Sequence, residues 1–368
     1  MRPAYCTVRT ALLLCVLAGA LPAAASGCLP GVSPPCAPPR PNILLVLADD
    51  LETDYKQDRL ALMPNLRERL VNVGTSFRNA VASTPVCGPS RASLLSGRYA
   101  HNHKYLDNLD VPSLLAWLAE QDGNVGAWLT AAGYFSSYHG KYVNGLEAFW
   151  PHGWRFWGGF SSAQGTYNYY NSTPYAITFD ASGRTPVSPV TSTPMTGVHQ
   201  ADFLGQAALA QMSAAVAAGQ PFFTMVNPTM VHYGTCYGPF LNFSEYTAQD
   251  PFWEIDLALG NGCTNASANQ GCSIEVSPCP SLRHAHSDGV DGLVNPHVPS
   301  WDAAASGGVP DGMAHPPGTA FEHERQDVGF RNRTASARDL DDMLGVLLDG
   351  LAALGVSNST LVIFARWV

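Results

Sequence analysis

Cys87 is the residue with the clearest potential for chemistry in this sequence. It lies in the segment "TPVCGPSRASLLSGRYAHNH" and directly precedes the helix-compatible run "RASLLSGR". A cysteine in this position could form a disulfide, act as a thiol nucleophile, bind a metal ion or be the precursor of a modified residue. Arg91 lies four residues later, on the same helix face, where its permanent charge could hold an anion beside Cys87.

Two acidic residues close an apolar segment near the start of the chain. Asp49 and Asp50 end "PNILLVLADD", a run typical of a strand that is buried on both faces. In open α/β sheets, ligands bind at the edge formed by the carboxyl ends of the strands. Paired carboxylates at that edge could hold a hard divalent cation such as Ca²⁺. The alternative is a strand end that is simply solvated.

Two further polar residues follow segments with strand character. Lys141 lies in "YFSSYHGKYVNG", and His232 lies in "PFFTMVNPTMVHY". A lysine supplies a positive charge for an anion, and a histidine can transfer protons near neutral pH. A lone histidine is more often structural, so these two residues alone do not define a site.

The order of the elements predicts how these residues are positioned. Strands are predicted at 41–50, 76–82, from 134 into a loop at 145, at 221–228 and at 359–365; helices are predicted at 63–74, from 87 through 95, at 111–121, 124–133, 199–219 and 336–355. We expect loops and short hairpins at 150–195 and irregular chain at 233–331. Alternating strands and helices indicate an α/β enzyme with a mostly parallel central sheet flanked by helices.

Composition limits the class of protein. The chain has 368 residues, 46% of them hydrophobic and 13% charged, which is enough apolar material for a large core. Its net charge of −9 argues against nucleic acid as a partner, because nucleic-acid binders present a basic face.

The N-terminus has the pattern of a secretory signal peptide. Basic residues precede an apolar run at 11–21 and small residues follow it, so we expect a signal at 1–25 and a Pro/Cys-rich leader at 26–39. No later segment is long and apolar enough to predict a membrane span.

Removal of the signal leaves an odd number of cysteines, so one is unpaired or modified; Cys28 and Cys36 are a natural local pair. Sequons agree with this route and with a glycoprotein: Asn171, Asn242, Asn265, Asn332 and Asn358.

The segment "CGPSRASLLSGR" resembles the signature of type I sulfatases, C-x-P-S-R followed by a short apolar stretch and S/T-G. The resemblance extends over about 40–365 and is nearest to the algal-type arylsulfatases and the N-acetylglucosamine-6-sulfatases. It implies an alkaline-phosphatase-like α/β fold for a catalytic domain at 40–368. In that family, the formylglycine-generating enzyme of the endoplasmic reticulum oxidises the cysteine to formylglycine, whose hydrated aldehyde supplies the nucleophilic oxygen.

The same resemblance implies a role for each candidate residue. Arg91 and Lys141 would bind the sulfate group, and His232 would act on the leaving oxygen. Asp49, Asp50 and the modified Cys87 would bind one Ca²⁺ ion. Many sulfatases carry a histidine two residues after the lysine, where this chain has Val143; Asn144 is a weaker candidate. We expect structural roles for His139, and structural or rim roles for His101 and His103.

The implied reaction is hydrolysis of aryl or carbohydrate sulfate esters to an alcohol and sulfate. The substrate would be a sulfated small molecule or glycan, and the protein would be secreted or reside in a lysosome-like compartment. A phosphate or phosphonate ester hydrolase that uses the same modified cysteine is the alternative enzyme.

One departure from the family pattern concerns the C-terminal end. In the family, the strand after the long helix ends in Asp-Asn-Gly, and the Asp and Asn complete the calcium site. This sequence reads "STLVIFARWV", with Arg366 and Trp367 where those ligands would align. We therefore expect a fold that is incomplete at this end, weak calcium binding and turnover near background. An inactive, truncated sulfatase remnant is the non-enzymatic alternative.

Overall fold

The structure is a computed structural model that describes residues 40–51, 59–77, 79–120, 122–143, 150–160, 166–170, 172–195, 197–232 and 320–367, together with residues 284 and 293. The predicted signal peptide and leader, most of the cysteines and the segment around Asn144 lie outside these residues. Within them, none of the helices combines the length and apolar character that a membrane crossing requires.

A seven-stranded sheet organises the fold. Its strands are β1 (Asn42–Asp49), β2 (Phe135–Gly140), β3 (Phe156–Phe160), β4 (Pro174–Thr178), β5 (Thr191–Ser192), β6 (Phe222–Asn227) and β7 (Thr360–Trp367), in the spatial order β5-β4-β3-β2-β6-β1-β7. The neighbouring strands β3, β2, β6, β1 and β7 pair in parallel. At one edge, β4 pairs antiparallel with β3 and with β5. The predicted mostly parallel α/β sheet is confirmed.

Helices cover both faces of the sheet. They are α1 (Pro64–Leu66, continued by a π-helical turn at Arg67–Val71), α2 (Cys87–Ser96), α3 (Ala100–His103), α4 (Val111–Leu118), α5 (Val125–Ala131), α6 (Gln200–Ala217) and α7 (Ala320–Ala353). Leu44 and Val46 of β1 pack with α6 and α7, whereas Leu47 on the other face packs with α2 and α4. Adjacent strand residues point to opposite faces, so the continuous apolar run of β1 fits a strand covered on both sides.

Two predictions about elements are wrong. The segment 76–82 is not a strand: Phe77 and Val81 are 81% and 89% exposed, and the described part of this segment lies outside the sheet. Helix α7 begins at Ala320, inside the segment predicted to be irregular. Its first turns are rich in charged residues, so they lack the apolar periodicity that reveals the second half.

Helix α7 also fixes α1 through a side-chain cap. Asp341 is buried, and its carboxylate accepts hydrogen bonds from the backbone N–H groups of Asn65 and Leu66 at 3.0 and 2.8 Å. These are N–H groups of a first helical turn, which have no partner within their own helix. A long-range contact therefore fixes the start of helix α1, which the sequence shows only as an isolated amphipathic segment.

Burial separates two of the glycosylation sequons. Asn332 lies in α7 and is 8% exposed, so it is inaccessible to a glycan in the folded chain. Asn358 lies in an exposed 3₁₀ turn at Ser357–Ser359. The remaining sequons lie outside the described residues.

Candidate active site

The topology brings the predicted site residues to one edge of the sheet. Strands β2, β6 and β1 are adjacent and parallel, so their carboxyl ends lie together. Asp49 ends β1, Lys141 follows β2, and His232 lies on the turn that follows β6. Cys87 is the first residue of α2. Hydrogen bonds, ion pairs and one ring contact connect these residues through Tyr167 and His232.

A buried carboxylate and two buried cations form the centre of the site. The Lys141 Nζ atom lies 2.5 Å from Asp49 Oδ2, and Arg91 Nη2 lies 3.8 Å from the same oxygen. All three side chains are 1% exposed or less. Burial alone would lower the pKa of Lys141, but the Asp49 carboxylate raises it above its ordinary value. Lys141 therefore remains charged, and the site carries a net positive charge around Asp49.

Gly140 and Asn227 explain why Lys141 reaches this position. Gly140 has φ of +92°, and a Cβ atom there would lie 2.2 Å from the Asn227 carbonyl oxygen. Glycine tolerates this close approach and this backbone angle. The Lys141 N–H then donates to that carbonyl at 2.8 Å, and Arg91 Nη1 donates to the Lys141 carbonyl at 2.9 Å and to Asn227 Oδ1 at 3.2 Å. The Gly-Lys pair thus turns the lysine into the site.

Asp50 and His232 face each other beside this centre. The His232 Nε2 atom lies 3.5 Å from Asp50 Oδ2. Asp50 has φ of +53°, the left-handed region that aspartate tolerates better than most residues. Its side chain is 32% exposed. Burial and the neighbouring charge of Asp49 raise the pKa of the Asp50 carboxyl.

The two acids fit a divalent cation. The Oδ1 atom of Asp49 is buried and accepts no hydrogen bond, which is costly for a carboxylate oxygen. A hard cation takes carboxylate oxygens as ligands, and it would also relieve the repulsion between Asp49 and Asp50. A hard divalent cation therefore suits this pair, and the partly exposed Asp50 side chain would give it access from solvent.

Cys87 lies between Asn108 and His232. Asn108 Nδ2 donates to Cys87 Sγ at 3.6 Å, and His232 also makes a hydrogen bond with the thiol. Burial raises the pKa of the Cys87 thiol, but this hydrogen bond and the charge of Lys141 outweigh burial, so the pKa is lowered overall. The site therefore favours a negatively charged or strongly polar group at the Cys87 side chain.

Asn108 was not predicted from the sequence as a site residue. Its Oδ1 accepts from the Gly88 N–H at 2.9 Å while its Nδ2 contacts Cys87, so the two bonds fix the amide orientation. The residue at position 88 must also be small: a Cβ atom there would lie 2.2 Å from the Tyr105 hydroxyl oxygen. Asn108 lies in the short polar loop "YLDNLD", which carries no signal of its own.

Tyr167 was missed for a different reason. Its hydroxyl accepts a hydrogen bond from Lys141 Nζ at 3.0 Å, and its ring lies 4.7 Å from the His232 ring centroid. It belongs to a segment rich in aromatic residues, Ser and Gly, in which no tyrosine stands out.

Asn227 could have been predicted from the sequence, because it is a polar residue at the end of a buried apolar strand, the same signal that marks Asp49.

Among the histidines considered for a structural role, His139 and His103 are buried and His101 is exposed. Burial lowers the pKa of His139 to about 3, and its ring stacks on Phe156. His103 Nε2 lies 2.9 Å from Ser93 Oγ, and His101 stacks on Tyr99. These contacts agree with the structural roles expected for His139 and His103. Val143 is 8% exposed and packs in the aromatic core around Tyr138.

A second group of candidate ligands lies at α7. Ligand atoms of His284, Asp339 and Asp342 lie within 4.8 Å of one another, and His284 Nε2 is 2.8 Å from Asp342 Oδ2. The sequence analysis did not identify this group. It is separate from the residues that contact Cys87.

The register of β7 refines the expectation for the C-terminal end. Asp49 is the Cα partner of Trp367, and Ala48 is the partner of Arg366. Because successive positions alternate between the faces of a strand, position 367 lies on the face of Asp49 and position 366 on the opposite face. The register therefore places the end of β7, where the family's two ligands would align, beside Asp49.

Comparison with known proteins assigns the chain to a family. A family model described as Sulfatase matches residues 41–365. Three curated relatives are an extracellular sulfatase SULF-1 homolog of Drosophila melanogaster (41% identical over 132 residues, 35% of this chain and 12% of the relative), an arylsulfatase of Volvox carteri (28% over 244 residues, 61% and 35%) and the human N-acetylglucosamine-6-sulfatase (31% over 171 residues, 43% and 29%). The matched segments thus span about a third or less of these relatives.

A solved structure supports the fold. The crystal structure of the Bacteroides fragilis protein yidJ, assigned as a sulfatase, aligns with a TM-score of 0.52 and 16% identity, covering 91% of this chain and 63% of that one. The alkaline-phosphatase-like fold predicted from the sequence is thereby confirmed. With the family model covering nearly the whole ordered sheet and the Cys87 segment at its carboxyl edge, the chain belongs to the sulfatase family.

Proposed function

We propose that this site hydrolyses sulfate esters to an alcohol and sulfate. The observation that carries the proposal is the convergence of Cys87, Arg91, Lys141 and His232 beside two acids in a chain of the sulfatase family. The proposal includes conversion of Cys87 to formylglycine by the formylglycine-generating enzyme. The hydrated aldehyde would supply the oxygen that attacks sulfur.

The buried cations would bind the sulfate group. Arg91 and Lys141 are held by backbone and carboxylate contacts, so they need little reorganisation when an anion arrives. With Asp49 ionised, these two cations leave one unit of positive charge on the group of three side chains, which favours a sulfate monoanion. A bound calcium ion, held by Asp49 and Asp50, would supply further charge neutralisation at the sulfate oxygens.

His232 would serve the leaving oxygen. It lies within hydrogen-bond distance of the Cys87 side chain and 3.5 Å from Asp50, so it can exchange protons at the reacting centre. Tyr167 and the turn hydrogen bond from the His232 N–H to the Thr229 carbonyl at 2.8 Å hold the ring in place. The His232 ring would therefore donate the proton that an alkoxide leaving group requires.

The names of the relatives support a proposal for the substrate class and the location. Their names include arylsulfatase, N-acetylglucosamine-6-sulfatase and extracellular sulfatase. We propose an aryl or carbohydrate sulfate as substrate and a location in the secretory pathway, outside the cell or in a lysosome-like compartment. The predicted signal at 1–25 supports this route.

His232→Ala is expected to slow poor leaving groups much more than activated aryl sulfates. An activated phenolate leaves without protonation, whereas a sugar alkoxide does not. The measurement compares kcat for a nitrophenyl sulfate and a sulfated monosaccharide, with phosphate and phosphonate monoesters in the same series. Equal losses on both sulfates would remove His232 from this role, and faster turnover of the phosphorus esters would favour the alternative enzyme.

The C-terminal residues favour a second reading, an inactive sulfatase. Arg366 and Trp367 stand where the family has carboxylate and amide ligands, and the register places position 367 beside Asp49. One unit charge about 4 Å from a dication is worth on the order of 8 kcal/mol at an effective dielectric of about 20. A missing carboxylate at this distance would strongly weaken calcium binding.

Trp367→Asp is therefore expected to raise calcium affinity by at least about 100-fold and to raise sulfate ester turnover with it. Leu361→Asp is the matched control, since Leu361 is 52% exposed and lies on the same strand, opposite Ile43 and far from Asp49; it should have little effect. Calorimetric calcium titrations of both variants and of the unaltered chain test this. Micromolar affinity and robust turnover in the unaltered chain would show that the ligands come from elsewhere, such as Asp288 or Asp291, which lie outside the described residues.

A further inference from the structure

Two turns carry the side chains of Asp50 and His232. The turn after β1 contains Asp50, and the turn after β6 contains residues 228–232. They pair with each other beyond the ends of their strands: the Asp49 N–H donates to the Met230 carbonyl at 2.9 Å, and the Val231 N–H donates to the Asp49 carbonyl at 2.7 Å. The relative position of the Asp50 and His232 side chains therefore depends on how these two turns are held together.

Arg333 of α7 contacts both turns. Its Nη2 donates to the Asp50 carbonyl at 2.5 Å, and its Nη1 donates to the Val231 carbonyl at 3.4 Å. One carbonyl belongs to Asp50 itself, and the other directly precedes His232. A guanidinium presents several N–H donors in a rigid plane, so it can bridge two acceptors; an ammonium is a single compact charge that lacks this geometry.

The backbone of Asp50 adopts a conformation that depends on the contacts around it. With φ of +53°, Asp50 adopts a left-handed conformation that is uncommon for residues other than glycine, although aspartate tolerates it better than most. Such conformations persist only where surrounding contacts fix them. Tyr169 braces the other turn separately, by donating from its hydroxyl to the His232 carbonyl at 2.6 Å. Arg333 instead acts on both turns at once, from a third element.

We propose that Arg333 is a positioning residue, which clamps the Asp50 turn to the His232 turn and so sets the geometry of the proposed cation and proton-transfer groups. Its effect on the reaction rests on the proposed function, whereas the clamp itself does not. Arg333 touches neither Cys87 nor the proposed sulfate position in the described contacts. It donates to the two backbone carbonyls, and its charge also acts on the Asp50 carboxyl group.

Hydrogen exchange in the metal-free protein tests the clamp. Arg333→Met removes the charge and the donors, and Arg333→Lys keeps the charge but replaces two separate donor nitrogens with one, which bridges two carbonyls less well. Both are expected to speed exchange by at least about tenfold at the Asp49 and Val231 amides, read from peptides at 41–51 and 222–232. Arg331→Met is the matched control, because Arg331 lies on the same helix and donates to the Leu293 carbonyl at 3.0 Å, which belongs to neither turn. It should leave those peptides unchanged.

Calcium titration adds a readout that a merely structural role would not change. Where the unaltered chain, or the Trp367→Asp variant, binds calcium, Arg333→Lys is expected to weaken the affinity about tenfold with little change in melting temperature. Unchanged exchange at both peptides in both variants would overturn the proposal, and so would equal acceleration in the Arg331 control. An absence of calcium binding in every protein would count against the proposed metal site alone, because the exchange result still decides the role of Arg333.

Discussion

Asp49→Asn is expected to destabilise the folded protein by about 3–5 kcal/mol, because it removes the partner of two buried cations. The Asp49 side chain is fully buried, 2.5 Å from Lys141 Nζ and 3.8 Å from Arg91 Nη2. Asparagine keeps the shape but leaves both positive charges without a carboxylate in a site that water does not reach. Urea denaturation of the purified variants measures the difference.

An exposed ion pair supplies the control for this prediction. Asp122 lies 2.9 Å from Arg184, and the two side chains are 58% and 53% exposed. Ion pairs on the surface contribute at most about 1 kcal/mol, so Asp122→Asn should have little effect. A loss below about 1 kcal/mol for Asp49→Asn as well would mean that Lys141 and Arg91 are not held by Asp49 in solution.

Cys87→Ala is expected to reduce sulfate ester turnover to background, a loss of several orders of magnitude in kcat. Alanine lacks the thiol that is oxidised to form the proposed nucleophile. The assay uses protein co-expressed with the formylglycine-generating enzyme. It is best made in the Trp367→Asp variant, since low turnover is expected with tryptophan at that position.

Leu94→Ala is the control for the loss of turnover. Leu94 lies on the same helix as Cys87 and is 44% exposed. Its replacement should leave turnover within a few-fold of the starting protein. Residual turnover of Cys87→Ala that matches this control would exclude Cys87 as the source of the nucleophile.

Features that depend on contiguous residues could be predicted from the sequence. The apolar run of β1 ending in Asp49, the Gly140-Lys141 pair and the Cys87 segment each combine a local structural signal with a chemical one. Their meeting point follows from the rule that parallel strands share a carboxyl edge. For these reasons the sheet and the position of most candidate residues could be predicted.

The remaining features depend on contacts between distant segments. Asn108 contacts Cys87 from a loop without a pattern, and Arg333 reaches Asp50 across 283 positions of sequence. The segment at 76–82 has the composition of a strand but has no neighbouring strand to pair with in the observed sheet order. Composition and periodicity report the structure that a segment favours in isolation. The contacts of Asn108 and Arg333 and the conformation of 76–82 depend instead on packing against distant segments.

The chemical state of Cys87 tests the central claim most directly. The measurement is peptide mass spectrometry of the tryptic fragment 79–91, from protein produced in cells with an active secretory pathway and the formylglycine-generating enzyme. The account predicts a fragment about 18 Da lighter than the cysteine form, as expected for conversion to formylglycine. A fragment that retains the thiol, or that is linked by a disulfide to another cysteine such as Cys236 or Cys263, would contradict it.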